Sequence, residues 1–221
     1  MYKHASAILV PLLVANSALS AGQETPPQNS GTEALRHFAQ CDASFFNTLK
    51  KHPNTFGPSV HVANRGSAAT IVVANPLSKK GNEQYFSHPP QINDLRLVAW
   101  HNEVSYDVDM GGFLYWGFKV DGDPTSVAKK INSLLPDTRK LVHTGKEWVR
   151  SEVRSIGDAI DTWHAGGISG TVTPRGSVER ALIVEGESPS VTTVYCSIQG
   201  SITAPLLKRL RPDLLSSEYP Q

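Results

Sequence analysis

The sequence is short of almost everything that would announce a chemistry. Its 221 residues hold two cysteines, and 21 Lys and Arg stand against 20 Asp and Glu. A chain so close to neutral lacks the clustered basic surface that nucleic-acid binding requires, so no nucleic acid is expected as a partner. No long charge run is present to hold an anionic membrane surface. Phosphate-cradling loops of the G-x-x-x-x-G-K-[ST] or G-x-G-x-x-G kind are missing, and so is the H-E-x-x-H spacing of zinc enzymes. The densest group of ligand types, His101-Asn102-Glu103 with Asp107 and Asp109, follows no zinc spacing. Asp121-Gly122-Asp123 lacks the third acid and the distal Glu of a calcium loop. Neither a metal nor a cofactor is expected.

What is present begins with an address. Lys3 and His4 precede the apolar run Ala7–Ala15 and the small residues Ala18-Leu19-Ser20-Ala21. A positive start, a short hydrophobic stretch and small residues at its exit describe a signal peptide over 1–21. The run is too short to span a bilayer, so no stable membrane insertion is expected once the leader is removed. Removing it takes away Lys3 and leaves 20 basic against 20 acidic side chains. The expected location is periplasmic or extracellular. There the even pair Cys41 and Cys196 is read as one disulfide, against the plainer alternative of two buried thiols.

The chain is organised around Phe113–Asp137, an aromatic strand, a tight turn and a capped helix. Alternation places Phe113, Tyr115 and Lys119 on one face and Leu114, Trp116, Phe118 and Val120 on the other. Asp123-Pro124 reads as an N-cap followed by proline at the first helical position, and Pro136 ends the helix. A fainter copy, Val194–Asp213, follows roughly 75–80 residues later. The repetition suggests two related β-rich lobes; the plainer alternative is chance recurrence of a common strand-turn-helix order.

The segments divide as a polar leader over 22–32, an N-terminal lobe over 33–138, a C-terminal lobe over 139–215 and a tail over 216–221, the two lobes being alternatively one compact domain. Within them, Glu33–Lys51 reads as one helix, with Asp42 its single misfit. The apolar run Ala68–Ala74 reads as a central strand, and Leu95–Trp100 and Glu103–Val108 as a strand pair turning at His101-Asn102. Val178–Glu185 and Val191–Ile198 form a further hairpin. Too few helices separate the strands for a parallel doubly wound sheet. The expected fold class is α+β, antiparallel sheets with a few helices packed on them.

For function, the unpatterned stretch Pro76–Gln91 reads as a binding loop, with Tyr85, Phe86 and His88 as contact residues. Phe113 and Tyr115, on the less apolar strand face, are added as exposed aromatics. These residues point to a non-catalytic exported protein that binds a protein partner, of the inhibitor or immunity type acting on an envelope enzyme. A hydrolase built on His164 and Ser169, or on His101 with nearby carboxylates, is the alternative; Gly167-Ile168-Ser169-Gly170 does not have the spacing of a nucleophile elbow. The third reading is a carrier of a small apolar ligand, which keeps a small-molecule ligand open.

Overall fold

A computed structural model describes residues 28–167 and 171–219. The expected signal peptide over 1–21, the first part of the expected leader, and Ser169 lie outside the described residues.

The chain has an α+β fold. Its strands pair antiparallel throughout. It opens with two helices, α1 (Gln28–Phe38) and α2 (Ala43–Lys51), where one was expected. Helix α1 begins inside the stretch read as a polar leader. The break falls at Cys41, whose φ of 55° is left-handed, and Asp42 then caps α2 by accepting from the Ser44 amide at 2.8 Å. Asp42 was a misfit in a continuous helix because it is the start of a second one.

A two-stranded ribbon follows, β1 (Val62–Arg65) and β2 (Ala68–Ile71), separate from the main sheet. The run read as a central strand is therefore buried against α2 and not among other strands. Next come β3 (Glu83–Tyr85), β4 (Gln91–Ile92), β5 (Leu95–Asp107), β6 (Gly111–Asp121) and α3 (Pro124–Ser133). The second half carries β7 (Val142–His143), β8 (Trp148–Ser155), β9 (His164–Ala165), β10 (Ser177–Ser188), β11 (Val191–Gly200) and α4 (Ala204–Leu210). His101-Asn102 is not a turn: β5 runs straight through it, and the irregularity sits between Leu97 and Ala99.

The main sheet runs in the order β3-β5-β6-β11-β10-β8-β7, with β4 and β9 paired at its margins. Its centre is an internal two-fold. The pair Trp100–Phe118 of the first hairpin recurs as Arg180–Ile198 in the second, and Val104–Leu114 recurs as Val184–Val194, each shifted by 80 residues. Across the central seam Gly112 faces Gly200 and Val120 faces Thr192, so the same shift exchanges β6 with β11. The axis passes through the pair Trp116–Cys196, which maps onto itself. Helix α3 lies on β8, β10 and β11, while the turn after α4 sets Arg211 against Trp116 of β6 and Asn102 of β5. Each strand-turn-helix unit thus covers the opposite half, and the two halves share one sheet and one core.

The four described α-helices cover one face of the sheet. There Phe38, Phe45, Phe56, Trp100 and Phe118 pack with neighbouring ring centroids 4.8–6.4 Å apart. Full burial of such a side chain contributes about 1.5–3 kcal/mol, and each of these five rings is at most 2% exposed. The disulfide Cys41–Cys196, with sulfurs 2.03 Å apart, ties the α1–α2 junction to the sheet at the two-fold axis. At the margin of this face, β8 turns Arg150, Glu152 and Arg154 inward, and Glu152 holds Arg180 at 2.8 Å and Arg139 at 3.1 Å.

The stretch 76–91 lies along the outer edge of β5. The Pro76 and Asn82 carbonyls accept from the Val104 and Asn102 amides at 2.8 Å, and the Phe86 amide donates to Val98 at 3.0 Å. Exposed strand edges invite pairing with other chains, and this segment occupies the edge. The C-terminal stretch is docked too: Glu218, in the turn Ser216–Glu218, is buried and accepts from Arg65 at 2.6 Å.

Candidate functional site

Among the described residues the opposite face of the sheet carries no helix. Alternation brings to it Glu83 and Tyr85 of β3, His101 and Glu103 of β5, Phe113, Tyr115 and Lys119 of β6, Thr193, Tyr195 and Gln199 of β11, and Glu179 and Glu185 of β10. Two adjoining hollows are sunk into this face, about 330 Å³ and 400 Å³ in volume, and share Tyr115, Glu185 and Tyr195.

The tyrosine pair stands at their junction. Tyr115 and Tyr195 meet edge to face with centroids 5.9 Å apart. Gly117 permits this, because a Cβ there would lie 2.5 Å from the Tyr195 Cα and 2.1 Å from the Val194 carbonyl oxygen. Burial pushes both phenols above their ordinary range, and the carboxylates Glu103 beside Tyr115 and Glu185 beside Tyr195 add to the shift. Both rings are neutral at physiological pH and present π faces and hydroxyl groups to the hollows.

The first hollow is organised by Lys119. Its ammonium donates to Glu187 at 2.8 Å, lies 2.9 Å from Glu83, and reaches the Tyr85 hydroxyl at 3.3 Å, with the Tyr85 ring 5.6 Å away. Burial opposes its charge, but the hydrogen bonds it donates to Glu187 and Glu83 outweigh that and hold the pKa well above the usual lysine value. Burial likewise opposes the charge on Glu83, and Lys119 overrides it, leaving the Glu83 pKa low. His101 sits between Glu83 at 3.6 Å and Glu103 at 3.5 Å. Its burial outweighs both carboxylates, so its pKa falls below 6.5 and the ring is neutral at pH 7.

The second hollow has a different balance. Glu147, Glu179 and Glu185 line it together with Met110, Phe113 and the tyrosine pair, over a floor of Ala181 and Ile183, and among the described residues no basic side chain lines it. Glu179 is 3% exposed and accepts from the neutral groups of Ser151, Thr173 and Gln199. Burial pushes the Glu185 carboxyl up; the Tyr195 hydroxyl opposes this and Glu147 reinforces it.

Of the residues singled out from sequence, Tyr85, Phe113 and Tyr115 share this open face. Tyr85 is 61% exposed, and its loop serves as an edge cover. Phe86 is buried in the core and presents no side chain to a partner, because β3 pairing turns it inward. His88 lies elsewhere, on a shallow apolar hollow with Phe56, Pro58 and Pro90. His164 is largely exposed and 3.7 Å from Asp158. Among the described residues no three His, Cys, Asp or Glu side chains converge as a metal-binding group, and no helix is long and apolar enough to cross a membrane. Sequence reasoning missed Tyr195, Glu185, Glu179 and Gln199. The repeat itself was the usable signal, since a shift of 80 carries Tyr115 onto Tyr195.

No protein-family model, curated protein or solved structure matches the chain.

Proposed function

We propose that this protein is an exported, disulfide-clipped binding protein that presents the helix-free face of its sheet to a protein partner, as an inhibitor or immunity-type protein would. The observation that carries the reading is the composition of that face: the rings of Tyr85, Phe113, Tyr115 and Tyr195 stand among six glutamates, with Lys119 the one cation among the described residues there and His101 neutral. Tyrosine rings are among the usual anchors of recognition surfaces, with polar groups at the rim. The buried cystine supports residence in an oxidising compartment.

A hydrolytic reading has in its favour the two carboxylates within 3.6 Å of His101. Against it, among the described residues no serine or cysteine lines that hollow, and Lys119 is held protonated by its carboxylates and so makes a poor nucleophile.

The test is capture from the exported fraction of the native cell with the oxidised protein, beside a Tyr115→Ser, Tyr195→Ser variant of the same thermal stability. A stoichiometric protein partner bound by the parent and lost from the variant is expected. Equal capture by both, or no partner at all, rejects the open face as the binding surface.

A further inference from the structure

The two-fold relates the two halves of the open face, and the halves carry different charges: Ala99 and Ser105 of β5 correspond to Glu179 and Glu185 of β10, and His101 and Glu103 to Ala181 and Ile183. Lys119 of β6 and Gln199 of β11 are equivalent under the 80-residue shift. In the first half the Lys119 ammonium neutralises Glu83 and Glu187 under the Tyr85 ring. In the second half the Gln199 amide donates to Glu179 at 3.0 Å and brings no charge. Glu147, Glu179 and Glu185 line that hollow with Tyr115, Tyr195 and Phe113, and none of the three has an ion-pair partner among the described residues.

We infer that the hollow at Glu147, Glu179 and Glu185 takes a basic side chain, Arg or Lys, from an extended segment of the partner polypeptide. The inference rests on the binding reading above and names what that face recognises. Lys119 shows within the same molecule what such a group finds: carboxylates at hydrogen-bond distance and an aromatic ring alongside. Charge complementarity is the first argument. A buried carboxylate without a cation is unfavourable until one arrives, and Glu179 is buried among neutral donors only. Burial also holds the Glu185 pKa up, as expected of a carboxylate lacking a cation. The second argument is chemical. Tyrosine rings attract cations through their π faces, and the hollow combines them with an apolar floor that suits the methylene stem of Arg or Lys. The third is shape. The two hollows adjoin and run across several strands, which suits an extended chain better than an isolated small cation.

The experiment compares three probes by amide chemical-shift titration at low ionic strength: acetyl-Gly-Arg-Gly-amide, the same peptide with citrulline for Arg, and n-butylamine. Citrulline keeps the shape of Arg and removes its charge. The expected result is binding of the Arg peptide about tenfold or more tighter than the citrulline peptide, with shifts centred on Gly117, Tyr195 and Ser197, and weaker binding of butylamine. Gln199→Lys supplies the second half with its own internal cation and is expected to bring the Arg peptide down to the citrulline level. If that variant does not fold, Glu147→Gln with Glu185→Gln makes the same test from the carboxylate side. Equal binding of the Arg and citrulline peptides, no binding of the Arg peptide, or unchanged affinity in Gln199→Lys overturns the inference. Butylamine binding as tightly as the Arg peptide overturns it in favour of a small free cation. The outcomes separate cleanly from failure of the binding reading. A partner captured equally by the parent and Gln199→Lys, yet lost from the double tyrosine variant, rejects only the basic-side-chain assignment.

Discussion

Arg211 and Asp213 face each other at zero solvent exposure, joined by two hydrogen bonds of 2.9 and 3.0 Å. The guanidinium also donates to Asn102 at 3.0 Å and lies over the rings of Trp116 and Phe46 at 4.6 and 4.8 Å. Arg suits this slot because its plane stacks on aromatics while its edge pairs with a carboxylate. Removing one partner strands the other charge inside the core. Asp213→Ala is expected to destabilise the fold by about 3–5 kcal/mol in urea unfolding. A loss below about 1 kcal/mol would mean that water reaches the site.

The neutral histidine on the open face makes acid unfavourable. His101 has a folded pKa below its ordinary 6.5 because burial disfavours the charged ring more than Glu103 and Glu83 favour it. Between the two values the unfolded chain binds the proton and the folded chain does not, so stability falls as pH drops through and below 6.5. Glu83, with its pKa lowered through Lys119, adds a second loss at more acid pH, as it is protonated. His101→Gln is expected to flatten the upper step of the stability–pH profile and leave the lower one. An unchanged upper step would place its origin in another group.

Glu185 has the opposite sign. Burial raises its carboxyl, so the folded chain holds that proton more tightly and the contribution to stability declines as pH rises through the shifted value. At pH 7 the charge is a burden when no partner is bound. Glu185→Gln is therefore expected to leave the melting temperature unchanged or higher, and to weaken binding of cationic probes. A marked drop in melting temperature would show that the carboxylate is needed for folding.

The cystine closes a loop of 155 residues in sequence separation. Loop-entropy arguments set its contribution at up to about 5 kcal/mol. Cys41→Ser with Cys196→Ser is expected to lower stability by a large part of that figure while β6 and β11 keep their pairing. Hydrogen exchange at the central seam distinguishes this from loss of the sheet.

Patterns that depend on local geometry were legible from residues alone. The alternation of Phe113–Val120 placed both faces of β6 correctly, and Asp123-Pro124 marked a real cap, with the Asp123 carboxylate accepting from the Ser126 amide at 3.0 Å. The pairing of two distant cysteines also followed from composition. What local pattern cannot hold is the destination of a segment. The apolar run 68–74 looks central by composition and yet forms a side ribbon, because its burial comes from α2. Polar His101-Asn102 resembles a turn, but Asn102 is buried by Arg211, over a hundred residues onward. The stretch 76–91 has no period because its hydrogen bonds go to a strand edge. The candidate site was half visible. Tyr115 and Phe113 were found by parity, whereas the Glu179, Glu185 and Gln199 side required the register between strands.

The backbone of residues 76–91 bears on how the molecule behaves in a crowd. By spending its own carbonyls and amides on β5, it leaves a newcomer strand little to grip on that flank. Shortening this segment should therefore give a chain that still folds but stacks with its neighbours into insoluble polymers.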